Sequence, residues 1–192
     1  MRCIVLGSVM AVVLAGNIGA DDKKAADPFE AMRKAATPGP FHKKLEPLNG
    51  TWTWTSKFYG TSPPQEGTGT ADRKWIMDGR FLQEEVFSKE LLGQPFKGFG
   101  LTGYDNIQKK YVAVWTDSLT TALSHSVGTV DESGKLFTFQ REDLDPISGQ
   151  KIKGRDVFRI IDENKHTAEF YKTSPDGKEV KVLEISFVRK GK

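Results

Sequence analysis

From residue 50 onward the chain alternates apolar and polar positions with a period of two, broken by turn formers roughly every ten residues. "GTWTWTSKFYG" (50–60) sets Trp52, Trp54, Ser56 and Phe58 against Thr51, Thr53, Thr55 and Lys57, the pattern of a half-buried strand. "GTGTADRKWIM" and "RFLQEEVFS" meet across Asp78-Gly79, a pair suited to a two-residue hairpin because both positions take positive φ. Seven further runs follow: "FKGFGLTGY", "KYVAVWTDS", "TALSHSVGTV", "KLFTFQRED", "KIKGRDVFRIID", "HTAEFYKTS" and "EVKVLEISFVR". The loops between them, such as "DESG", "DENK" and "PDGK", are too short for crossover helices, which predicts antiparallel, up-and-down strands. About ten strands in one open sheet would leave two bare edges, so the fold class predicted is an all-β antiparallel barrel, with a two-sheet sandwich as the alternative.

Ahead of the strands the pattern is different. "MRCIVLGSVMAVVLAGNIGA" (1–20) has one positive charge, an apolar run too short for a membrane span, and small residues before "DDKK", the order of a secretory signal peptide. Cleavage after Ala20 is favoured over Ala15, which predicts a secreted or periplasmic protein with no stable membrane insertion. The single cysteine, Cys3, leaves with the signal, so the mature chain has no thiol for disulfides, zinc or nucleophilic chemistry, and no lipoprotein cysteine. In the leader, 21–45, Asp27 is placed to cap a short helix with Pro28 at its first position, stopped by Thr37-Pro38-Gly39-Pro40. Phe29, Met32 and Ala36 recur at helical spacing, which makes the helix a candidate lid over a barrel end or a loosely packed leader.

Composition refines this only slightly. The 192 residues, 38% hydrophobic and 28% charged, suit one barrel domain over 46–190. The net charge of +3 is small and the lysines are scattered in pairs, so no nucleic-acid footprint is present.

The stretches "ATPGPFHKKLEPLNGTW", "MDGRFLQEE", "GYDNIQKKYVAVWTDS", "GRDVFRIID" and "SFVRK", in that order, resemble the bacterial domain-of-unknown-function family numbered 1579, which is placed with the lipocalin-like (calycin) barrels. The resemblance implies a fold and an export habit but no catalytic residue. It also implies structural roles for Trp52, whose Gly50-Thr51-Trp52 is similar to the signature opening the first strand of such barrels, and for Arg189, expected to pack across the Trp52 indole.

With Trp52 inward, parity puts Trp54, Ser56 and Phe58 inside, and Leu183, Ile185 and Phe187 on the face of Arg189. Arg73 shares a face with Trp75, and His125 with Leu123 and Val127, a face expected to point inward. Trp115 and Asp117 share a face with Tyr111 and Ala113, but Val112 and Val114 form a second apolar face, so that strand stays open, as does the strand of Arg155 and Asp156. Candidate ligand-binding residues are therefore Trp54, Phe58, Arg73, Trp75, Trp115, Asp117 and His125.

His42, His125 and His166 lack metal-ligand spacing, so no metal site is expected; haem held by His125 is the one cofactor alternative. Glu84 and Glu85 are adjacent and point to opposite faces; an inward Glu85 or Asp117 near Arg73 or Arg155 would form a buried ion pair. No nucleophile elbow, phosphate loop or dinucleotide fingerprint is present. Two function classes remain: a binder of a small hydrophobic or amphipathic molecule, and an interaction module of the cell envelope with a filled barrel. An enzyme is a third, with no motif in its favour.

Overall fold

The computed structural model describes residues 27–145, 148–174 and 176–191; the export segment, with Cys3 and both cleavage positions, lies outside them. Ten strands follow one another: β1 (Gly50–Phe58), β2 (Gln65–Ile76), β3 (Phe81–Leu91), β4 (Gln94–Asp105), β5 (Lys110–Asp117), β6 (Ser124–Val130), β7 (Leu136–Leu144), β8 (Lys151–Ile160), β9 (Lys165–Thr173) and β10 (Glu179–Arg189). Each pairs antiparallel with its neighbours in sequence, and β10 pairs back onto β1, so the sheet is a closed up-and-down barrel and not a sandwich. Closure gives every strand two partners and removes the edges. In β1, Trp52, Trp54 and Ser56 are buried and the intervening Thr53, Thr55 and Lys57 are exposed. The register pairs Trp52 with Arg189, Trp54 with Phe187 and Ser56 with Ile185, the common face expected from parity.

The Asp78-Gly79 turn is longer than predicted. Both residues have positive φ and the Arg80 amide donates to the Met77 carbonyl, but Met77 is also at φ 50°. Strand pairing therefore ends at Ile76–Phe81, leaving a four-residue connection.

The end of the barrel where β1 begins is sealed by the leader. Helix α1 (Pro28–Ala36) forms as its sequence predicts, with the Asp27 side chain accepting from the Phe29 amide at 2.9 Å. It is not the lid, however: Phe29 and Met32 are about two-thirds exposed, and its end is tied down where Asn106 donates to the carbonyls of Ala35 and Thr37. The plug is the segment after it, the short helix α2 (Pro40–Lys43) and the 3-10 turn Glu46–Leu48. Leu45 and Leu48 are buried in a cluster with Leu82, Tyr104, Tyr111 and Phe137; the Phe41 ring stacks on Tyr104, and the Tyr111 hydroxyl donates to the Phe41 carbonyl.

Arg189 locks this plug to the barrel. Its guanidinium lies 4.1 Å from the Trp52 ring centre and donates to the carbonyls of Glu163, Asn49 and Pro47 at 2.7, 2.7 and 2.9 Å. The Trp52 indole in turn donates to the Leu48 carbonyl at 3.0 Å. Gly50 is required at this crossing: its φ is 119°, and a Cβ there would fall 2.5 Å from Arg189 Nη1.

Arg189→Ala removes three charge-assisted hydrogen bonds and the contact with the indole, and is expected to lower the unfolding free energy by about 2–4 kcal/mol in urea titrations. Arg189→Lys should recover less than half of that, because one ammonium cannot span three carbonyls. Parental stability in both variants would contradict the clamp.

Candidate ligand-binding interior

The orientation of Trp115 and Asp117 is decided by the pairing of β5 with β4. Gly100 lies opposite Trp115 and Gly98 opposite Asp117. The same two glycines lie opposite Glu84 and Val86 of β3, in the inward row that includes Ala71 and Arg73 of β2. Tyr111, Ala113, Trp115 and Asp117 therefore point into the barrel. The reason is room: the Trp115 indole lies over the two glycines, and a Cβ at Gly98 would fall 2.4 Å from it. Val112 and Val114 are left half-buried on the outer wall. Trp115 Nε1 donates to Asp117 Oδ2, and the Leu119 amide to Oδ1, both at 2.9 Å.

His125 is a correction. Ser124 pairs with Trp115 and Ser126 with Ala113, so β6 presents Ser124, Ser126 and Gly128 inward, while His125 is exposed on the outer wall. The inward row is small because its neighbours are large; the Phe139 ring fills the space over Gly128. A haem inside the barrel would receive no axial ligand from His125.

The other candidates divide. Trp54 is buried in the wall, its Nε1 donating to the Thr70 carbonyl at 3.1 Å. Phe58 is half-buried near the end opposite the plug. Trp75 shares the inward row but lies at the sealed end, donating to Glu46 of the plug at 2.6 Å. Arg73 is buried deeper in the barrel, where Nε and Nη2 meet Glu84 Oε1 at 2.8 and 2.6 Å. The inward carboxylate paired with Arg73 is thus Glu84, neither Glu85 nor Asp117, and Arg155 lies outside, paired with Glu179.

Arg73 Nη1 also contacts His166 Nε2 at 2.6 Å. His166 stacks on Phe187 and meets Trp52 edge-on. Burial first, then the charges of Arg73 and Arg189, push its pKa down to about 2, so the ring is neutral and Nε2 accepts from Arg73. Nδ1 has no hydrogen-bond partner among the described residues.

A second polar group, absent from the sequence-based candidates, lines β6 to β8. Arg141 Nε meets both oxygens of Asp156 at 3.1 Å, and Nη1 donates to Asp143. Ser124 donates to the other oxygen of Asp143 at 2.7 Å. The guanidinium lies over Gly154, where a Cβ would fall 2.5 Å away. Burial, opposed by Arg141 and reinforced by Asp143, raises Asp156 to about 6. Arg141 and Asp143 stand two apart in "FTFQRED", in the row of Phe137 and Phe139, a parity signal that was legible.

Not every inward side chain is buried. The buried apolar residues form two clusters, one around the plug and one around Trp52, with half-buried Phe158 packed against both. Between them inward side chains stay accessible: Glu84 at 22%, Arg141 at 14% and Asp143 at 24%, with Val86, Phe170 and Ile185 half-buried. Depressions of about 510 and 430 Å³ lie elsewhere, on the outer wall, the first among Thr55, Lys57, Glu66 and Glu184 and the second beside His125 and Lys153. No group of three potential metal ligands occurs among the described residues.

Strand order and plug together define a closed ten-stranded up-and-down barrel, sealed at one end by its own leader. Residues 37–189 match the family described as "Protein of unknown function (DUF1579)", and the chain belongs to it. Among solved structures, Rv2717c from M. tuberculosis is 16% identical, with a TM-score of 0.60 over 81% of this chain and 100% of that one. An S-type phycobiliprotein lyase from Guillardia theta is 12% identical (TM-score 0.49; 81% and 99% covered), and a redesigned β barrel 14% identical (TM-score 0.41; 82% and 96%). The first likeness supports the fold alone, and the other two are too distant to argue from. No curated protein matches the chain.

Two buried groups give stability opposite pH slopes. His166, lowered from 6.5, supports the fold above that value and withdraws support as pH falls. Asp156, raised from 3.8 to about 6, favours the fold when protonated, and that contribution is lost as pH rises through the same interval. Between pH 7 and pH 5, His166→Gln is expected to reduce the acid loss of stability by about 2 kcal/mol, and Asp156→Asn to increase it by about 1 kcal/mol, in urea titrations at both pH values. Shifts of the same sign in the two variants would contradict these protonation states.

Proposed function

We propose that this chain is an exported binding protein that holds one small amphipathic molecule inside its barrel. Export rests on the pattern of residues 1–20. The observation that carries the binding reading is the accessibility of inward-facing side chains, Glu84, Arg141 and Asp143, in a closed barrel whose other end is plugged; it supports a ligand entering from the end opposite the plug. The lining suits such a ligand, with Phe58, Phe170, Leu183 and Ile185 on one arc and Trp115, Asp117, Ser124 and Arg141 on the arc across from it. Pockets of this kind combine apolar walls with a few placed polar groups. No residue is assigned a catalytic role.

The second reading, an interaction module, is favoured by Phe87 and Phe99, 44% and 39% exposed on the outer faces of β3 and β4. Light scattering of the purified chain with and without Phe87→Ser separates it: a self-associated chain made monomeric by that change would support this reading.

The neutral dye N-phenyl-1-naphthylamine tests the binding reading. Its fluorescence is expected to rise and saturate at one dye per chain. Val86→Trp, which fills the interior, should weaken binding about tenfold or more, whereas the outward Thr55→Trp should leave it unchanged, with circular dichroism confirming both folds. Non-saturable binding, or equal loss in the two variants, would refute an interior site.

A further inference from the structure

The distribution of charge inside the barrel narrows the ligand class, and this step rests on the interior being the binding site. The arc formed by β9, β10 and β1 contributes Phe170, Leu183, Ile185 and Phe58, a surface for a hydrocarbon chain. The arc from β5 to β8 contributes Asp117, Asp143 and Asp156 with Arg141. One guanidinium there serves two carboxylates, since Nε is taken by Asp156 and Nη1 by Asp143. Among the described residues, the hydrogen-bond donors to Asp117 are neutral: Trp115 Nε1 and the Leu119 amide. Lys172 of β9 enters the same region across Gly154 from Arg141, and with its charge included the wall carries three carboxylates to two cations. Glu84, deeper in the barrel, is matched by Arg73.

An anionic headgroup arriving at this wall meets Asp143 and Asp156 on either side of the one guanidinium. A cationic headgroup meets a surplus of carboxylate in a region shielded from bulk water, where like-charge contact is strongly penalised and complementary charge is rewarded. We infer that the cavity takes aliphatic amines, with the ammonium against Asp143 and Asp156 and the chain against the Phe170–Ile185 arc, and discriminates against fatty-acid-type anions of equal length. The protonation of Asp156 agrees with this: Arg141 and Asp143 of β7 and Arg155 of its own strand are the charged groups that act on it, Phe170 of β9 lies opposite it, and above about pH 6 it is ionised and adds to the surplus.

The test is displacement of N-phenyl-1-naphthylamine from the full chain at pH 7.5 by dodecylammonium, dodecanol and dodecanoate, each below its micellar concentration. Dodecylammonium is expected to compete at a concentration about tenfold or more below dodecanoate, with dodecanol between them. Asp143→Asn and, independently, Asp156→Asn each remove one surplus charge and should narrow that ratio severalfold while dodecanol is unaffected. Dodecanoate competing as well as dodecylammonium, or a ratio unchanged in both folded variants, would overturn the charge assignment while leaving the binding reading intact. Failure of the dye and all three probes to bind would overturn both.

Discussion

The architecture depends on the clamp that Arg189 makes across Trp52. A closed up-and-down barrel has its first and last strands side by side, and here one residue of the last strand grips three carbonyls belonging to the turn before β1 and the loop before β9. That grip fixes the plug segment over the Trp52 end, where Leu45 and Leu48 complete the apolar cluster. With one end sealed by the chain's own leader, the proposed ligand enters from the opposite end.

Inside, polar groups sit at positions that a filled barrel would give to aliphatic side chains. Buried ion pairs add little net stability compared with well-packed apolar residues, because desolvation offsets their attraction. Arg73–Glu84 and Arg141–Asp143–Asp156 are therefore poor explanations of stability. A neutral His166 beside Arg73 and an Asp156 with a raised pKa both carry the mark of that desolvation. The binding reading gives the second group a role, as the polar end of a cavity whose other wall is apolar.

Much of this was legible in the sequence. Ten period-two runs and short loops give the strands and their order, and at the two ends of the domain large inward residues alternate with threonines, lysines and glutamates, so β1 and β10 are oriented by inspection. The middle of the barrel resisted for a definite reason: inward-facing volume is shared between neighbours. Trp115 points inward over Gly98 and Gly100, which makes sense only once β4 and β5 are in register. In β6 the inward row is Ser124, Ser126 and Gly128, and size alone therefore misplaces His125. The leader failed differently, since Asp27 and Pro28 fix where α1 starts but nothing local decides that Leu45 and Leu48, and not Phe29 and Met32, cover the barrel.

The central claim is that the space beside Ser126 is open. With Cys3 replaced by serine, Ser126→Cys carries the only thiol of the chain, on an inward position between Ala113 and Arg141. The decisive measurement is the rate at which that thiol reacts with iodoacetamide under native conditions. Labelling is expected within about tenfold of the rate in urea and is suppressed when N-phenyl-1-naphthylamine is bound. Protection lifted only by unfolding would mean a filled barrel.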